Sequence, residues 1–245
     1  MGSAAGLVVE FVGLPGAGKS ALSRQVATLL RERGTTLSEP TQALDRATTL
    51  RRSLVKASLG VEAAVAAPLT SARWIRTFVG MAQRRPADIG RVTLNWLFLA
   101  GLTRRLASRP GVHLLDQGVL QGLWSAGYAA KRGGLGHEAG AALAKALLPG
   151  TFVIVVDTSP ATLRHRLQHR PGGDSRLERD LAAGDPAGSL ARAVAAFASL
   201  QELLGLLERQ GRIVVMRVEG EHPELLHRTA ERVADRIDAA ARGQG

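Results

Sequence analysis

Eight residues near the start of the chain, Gly13-Leu14-Pro15-Gly16-Ala17-Gly18-Lys19-Ser20, constrain its fold more than any other feature. They fit G-x-x-x-x-G-K-[ST], a pattern that average residue usage yields by chance in roughly one chain in a hundred of this length. The flanks agree with it. Leu7–Val12 (LVVEFV) is a short apolar run rich in valine, which predicts a buried parallel strand. Ala21–Arg33 places Leu22, Val26, Leu29 and Leu30 at a 3.6-residue period and ends at Gly34, which predicts an amphipathic helix with a glycine C-cap. Between such a strand and helix, glycines let successive backbone N–H groups curl around phosphate oxygens, and the helix N-terminus adds its positive end. Gly13, Pro15, Gly16, Ala17, Gly18, Lys19, Ser20 and Ala21 are then expected to form a binding loop for a nucleoside triphosphate. Lys19 is expected to reach the β and γ phosphates, and the Ser20 hydroxyl to sit on Mg²⁺.

The rest of the chain alternates in the same way. Thr35–Glu39 reads as a second short strand stopped by Pro40, and the stretch from Gln42 to Ser108 is helical, with breaks at Gly60, Pro68, Gly80 and Pro86. Val112–Asp116, Thr151–Asp157 and Arg212–Val218 read as strands. Pro160–Arg170, Leu190–Gln210 and Pro223–Ala241 read as helices, and Pro171–Asp185 as a mobile, glycine- and arginine-rich segment. Strands alternating with helices imply an α/β fold with three layers and about five parallel strands, and a helical insert between strands two and three. One domain over 1–245 is expected, with 41–109 as the insert and 164–186 as a lid.

Composition removes several alternatives. With no cysteine in 245 residues there is no disulfide, thiolate metal site or thiol catalysis. The longest apolar run singled out, Val92–Leu102, is shorter than the roughly 18–20 residues of a membrane span and contains Asn95. A cytoplasmic protein without a membrane partner is expected. The formal charge of +11 first suggests nucleic acid, but 46–109 holds 12 basic and 2 acidic side chains and so carries nearly all of the excess. His165 and His169 are four apart on one predicted helix but lack a third ligand and stand among arginines, which repel a cation.

Within the loop's class, no guanine-reading Asn-Lys-x-Asp and no Ser-Gly-Gly transporter signature occurs; Asn95 is the only asparagine. What remains resembles the nucleoside and nucleotide kinases, thymidylate kinase in particular. Ser38-Glu39-Pro40 resembles the Glu-Pro after their strand two, and Leu114-Leu115-Asp116-Gln117-Gly118 resembles the acidic end of their strand three. Val155-Val156-Asp157-Thr158-Ser159-Pro160, then Arg166, Arg170 and Asp174-Ser175-Arg176-Leu177-Glu178, resemble their strand four and arginine-bearing lid. The likeness covers 7–40 and 110–238. It departs where Gln117 and Ser38 stand in place of arginines, and where Glu10 lies two residues before the usual strand-one position, now Val12. These departures fall on the acceptor side.

The resemblance implies phosphoryl transfer from ATP with Mg²⁺. Asp116 is a candidate for the metal's water shell or for taking a proton from an attacking hydroxyl, and Glu39 is the rival base. Arg166, Arg170 and Arg176 are the lid guanidiniums expected to meet phosphate. On the insert, Trp74 and Phe78 are four apart beside Arg76, a set able to stack on a ring-bearing acceptor or simply to pack the insert. The expected reaction is transfer to a hydroxyl of a nucleoside-like or natural-product compound. The alternatives are a nucleoside monophosphate kinase and a nucleic-acid-dependent NTPase or polynucleotide kinase. A small-molecule partner, and a monomer or homodimer, are expected.

Overall fold

The first apolar run is enclosed on both faces: Val9, Phe11 and Val12 have no exposed surface, as expected of a central strand rather than a half-solvated one. A computed structural model describes residues 6–46, 48–81, 83, 86–131, 140, 150–169, 175–184 and 186–243. Five strands, β1 (Leu7–Val12), β2 (Leu37–Ser38), β3 (Val112–Leu115), β4 (Thr151–Asp157) and β5 (Ile213–Glu219), form one all-parallel sheet. Their order is β2-β3-β1-β4-β5, with Val9 aligned between Leu114 and Phe152. β5 lies at an edge and is less covered, with Val214 45% exposed.

Helix α1 (Lys19–Glu32) packs against the last helix, α10 (Leu226–Arg242), and both touch β1. Helices α5 (Pro86–Ala107) and α6 (Val119–Ala129) also meet β1 and each other, and α9 (Pro186–Arg209) lies along α6 and β5. The result is an α/β protein compatible with a three-layer arrangement. Among the described residues α9 is the helix long and apolar enough to cross a membrane by length and composition. It lies against the core with Ala193, Leu200 and Leu204 enclosed.

Chain order and sheet order differ, so "between strands two and three" locates the helical insert in the chain and not in the sheet. β2 and β3 are hydrogen-bonded neighbours, and α2 (Pro40–Asp45), α3 (Thr49–Ala66), α4 (Pro68–Gly80) and α5 form the crossover that joins them. Gly60, expected to break a helix, lies inside α3, buried beside Leu97 and the backbone of Phe98. Across that contact, a Cβ on Gly101 of α5 would stand 2.6 Å from the Leu59 carbonyl oxygen. The two glycines therefore mark close helix–helix approach rather than a chain break.

A second expectation, of a segment without regular structure over 171–185, is corrected for its described residues 175–184. Helix α7 (Pro160–Gln168) ends slightly early, but α8 (Arg176–Ala182) occupies part of the stretch read as mobile. Ser175 and Glu178 form a reciprocal capping box at its start, the Ser175 hydroxyl accepting from the Glu178 amide and the Glu178 carboxylate from the Ser175 amide. That four-residue signature is in the sequence and outweighs the glycine and arginine content around it.

Candidate phosphate-binding site

The glycine-rich loop sits at the carboxyl end of β1, where open parallel sheets place ligands. Gly16 and Gly18 take φ of 86° and 96°, left-handed values that a side chain would strain. The loop's carbonyls are held by side chains, one of the loop's own and two from outside it. Lys19 Nζ donates to Gly13 O at 2.6 Å and to Leu14 O at 2.9 Å. Arg166 Nη1 donates to Gly16 O at 3.3 Å, and Thr158 Oγ1 to Ala17 O at 3.3 Å. Carbonyl oxygens would repel an anion; with these four engaged elsewhere, the loop's amides and the start of α1 set its polarity. Gly18 is the N-cap of α1 without a side-chain cap, and the first turn carries no acidic residue, so no carboxylate of that turn offsets the positive helix end. Ser20 is exposed in the first turn of α1, and Ala21 follows it half-buried.

No family model matches this chain, and no curated protein matches it. What the loop can do therefore rests on the groups around it.

At the end of β3, Asp116 is 7% exposed and its Oδ1 accepts from Thr41 Oγ1 of α2 at 2.7 Å. Beside it, the Ser38 hydroxyl and His113 Nδ1 lie 2.7 Å apart, which fixes β2 to β3 through side chains as well as backbone. Glu39, at the end of β2, is ion-paired with Arg31 of α1. The pair is half open to solvent, the Arg31 side chain being 54% exposed and that of Glu39 13%. Two carboxylates thus end neighbouring strands, one shielded and one salt-bridged.

Glu10 is the clearest electrostatic anomaly among the described residues. It is 1% exposed, in the middle of β1, and its Oε1 accepts from the Gln121 amide at 2.9 Å. Burial pushes its pKa up to about 8, while the backbone N–H groups of Gln121, Leu120, Val119 and Gly118 pull the other way. A Cβ on Gly118 would stand 2.3 Å from Glu10 Cδ, so only glycine lets the start of α6 come this close. Gln121 then reaches the loop, its Oε1 accepting from the Gly13 amide at 3.3 Å. Sequence reasoning noticed Glu10 as a displaced residue and missed Gln121, which belongs to no motif; its signal is its place one turn past Asp116-Gln117-Gly118.

The lid arginines separate. Arg166 joins the loop and also donates from Nη2 to Glu221 O at 2.9 Å. Arg176 instead pairs with Asp88 of α5 at 3.3 Å, and burial lowers its pKa despite that partner. Arg170 lies outside the described residues. On the insert, Trp74 (7% exposed) and Phe78 (0%) both pack edge-on against Trp96, at 5.7 and 5.6 Å between ring centroids. Their faces are used in the interior, while Arg76 is exposed.

A cavity of about 190 Å³ opens beside the loop, lined by Gly16, Gly18, Val156, Arg166, Gly220 and Pro223 among others. A Cβ on Gly220 would stand 2.4 Å from Ala17 O, so the turn after β5 closes directly on the loop. Glu221 Oε1 accepts from the Ser159 backbone amide at 2.7 Å, and hydrogen bonding to the Ser159 side chain, with this amide second, holds its carboxyl below the usual range. The cavity's Pro223 side comes from a chain segment without a motif, which sequence reasoning missed; its place after β5, at the carboxyl edge of the sheet, is the signal that could have found it.

Proposed function

We propose that this chain is an ATP-dependent phosphotransferase acting on a small-molecule hydroxyl. The observation that carries the reading is the loop itself: its carbonyls are tied back by Lys19, Thr158 and Arg166 at the uncapped start of α1. An anion is what such a cradle suits. The triphosphate lies along Gly13–Ser20, and the adjoining cavity takes the donor's base against Pro223 and the Arg166 guanidinium. The Ser20 hydroxyl would hold Mg²⁺, and Asp116 would reach the ion only through one of the waters that Mg²⁺ usually keeps. When bound, the ion neutralises charge on the phosphates.

The protein's own part is positioning. Lys19 holds the transferring phosphoryl group from the loop side, and Arg166 braces the loop from α7. Asp116, oriented by Thr41, takes the proton of the attacking hydroxyl; Glu39 fits that role less well because Arg31 already engages it. Buried rings leave Trp74 and Phe78 outside this proposed acceptor site. The test is transfer from radiolabelled ATP to a panel of nucleosides and hydroxylated compounds, with nucleoside monophosphates alongside. Lys19→Ala should lose ATP binding and transfer together while keeping its circular dichroism. Asp116→Asn should bind ATP and fail to transfer, and Glu39→Gln should retain transfer. Wild-type turnover by Lys19→Ala would remove the reading. Transfer only to monophosphates would replace the hydroxyl acceptor.

A further inference from the structure

Helix α3 carries two apolar faces. Leu59, Gly60 and Ala63 are buried against α5, while Leu50, Leu54, Val61 and Val65 are 72, 62, 63 and 75% exposed. Their spacing puts these four on one stripe of the helix. Leu69 and Val79 of α4 are 77 and 53% exposed, and Leu94 of α5, which borders α3 at Gly60, is 48% exposed. Of the large apolar residues that stand open among the described residues, only Val214 and Leu225 lie outside 50–94. The same segment holds the chain's positive excess, with Arg51, Arg73 and Arg76 exposed among these residues.

From this we infer that the α3–α4 face docks onto an anionic lipid surface, with the α3 stripe seated at the headgroup boundary and the arginines on the phosphates. Charge selects the occupant. A second copy of the chain would set one strongly basic face against another. Single-stranded nucleic acid would match the charge, but its bases stack on aromatic rings, whereas the exposed apolar residues here are aliphatic and Trp74 and Phe78 are turned inward. Aliphatic side chains flanked by arginines match acyl chains beneath anionic headgroups. No spanning run is needed for a helix that lies in the interface, so this reading replaces the expectation of no membrane partner. It is independent of phosphoryl transfer.

The experiment is co-sedimentation of the full chain with vesicles of phosphatidylcholine alone and of phosphatidylcholine with phosphatidylglycerol. Binding to the second and not the first is expected, weakening as salt is raised. Leu54→Glu/Val61→Glu should reduce it at least about tenfold, with circular dichroism and ATP binding unchanged because both side chains point to solvent. Arg73→Gln and Arg76→Gln should each weaken it about fivefold. Failure to bind anionic vesicles at low salt would overturn the inference, as would unchanged binding by the double glutamate variant. Self-association abolished by that variant, without vesicle binding, would assign the face to a second copy instead and overturn it too. So would oligonucleotide binding that survives the glutamates while vesicle binding is absent.

Discussion

Gln121, in the first turn of α6, accepts the amide proton of Gly13 across 3.3 Å while its own amide donates to the buried Glu10 at 2.9 Å. One residue therefore ties the first glycine of the glycine-rich loop to the centre of β1. A loop built of glycines has little side-chain packing of its own, so such outside contacts set its shape.

Gln121→Ala removes the acceptor for the Gly13 amide, which is buried. An unpartnered buried N–H costs about 1–3 kcal/mol. In a chain of this size, each kcal/mol lowers the melting midpoint by about 2–4 °C. Calorimetric titration with a non-hydrolysable ATP analogue should show affinity reduced about fivefold or more. A variant that melts and binds like wild type would mean that the contact contributes nothing to loop shape.

Glu10 makes stability depend on pH in a defined direction. Its pKa is about 8 in the folded chain against 4.5 for the free side chain, so folding favours the protonated form. The stability this gives is fully present below pH 4.5, falls as pH rises, and is gone above about 8. Within that window the loss runs at about 1.4 kcal/mol per pH unit. Urea unfolding of wild type and Glu10→Gln across the window checks it. The amide, neutral throughout, should flatten the slope, and parallel slopes for both proteins would remove Glu10 as the cause.

The strands and the loop were legible because their signals are local. LVVEFV and TFVIVVD declare buried strands by composition, and Gly13–Ser20 declares a glycine-rich turn between a strand and a helix by pattern. The contacts that hold the loop are long-range: Gly13 to Gln121 spans 108 residues and Gly16 to Arg166 spans 150, and no window of sequence contains both ends. Sequence spacing also cannot say which way a ring turns. Trp74 and Phe78 share a helix face that could serve a ligand or a core, and what buries both rings is Trp96, eighteen or more positions away. Gly60 misled for the same reason, because its partner helix is remote.

Gly16→Ala and Gly34→Ala separate backbone strain from packing. Both glycines have positive φ, 86° and 76°, and either alanine costs about 1–2 kcal/mol for that alone. At Gly34 a Cβ meets nothing within 4 Å, whereas at Gly16 it would press Leu167 Cγ at 3.3 Å. Denaturant unfolding should show Gly16→Ala the less stable of the two, and only Gly16→Ala should weaken triphosphate binding. Equal losses in both would mean that Leu167 gives way without effect.

Arg166 should matter more to donor binding than any other described lid arginine. It bridges two carbonyls, Gly16 O and Glu221 O, and lines the cavity beside the loop. Charge-assisted hydrogen bonds contribute about 1.5–3 kcal/mol each, so losing the bridge should lower affinity for an ATP analogue tenfold or more in Arg166→Ala. Lysine keeps the charge but lacks the planar fork that spans two acceptors, so Arg166→Lys should fall between alanine and wild type. Arg164 is exposed on the same helix and serves as the control, since Arg164→Ala removes an equal charge without touching the loop. If Arg164→Ala and Arg166→Ala weakened binding equally, general electrostatic attraction and not the bridge would be the cause. Titration at two salt concentrations decides it, because a diffuse charge effect shrinks with screening and a two-carbonyl bridge does not.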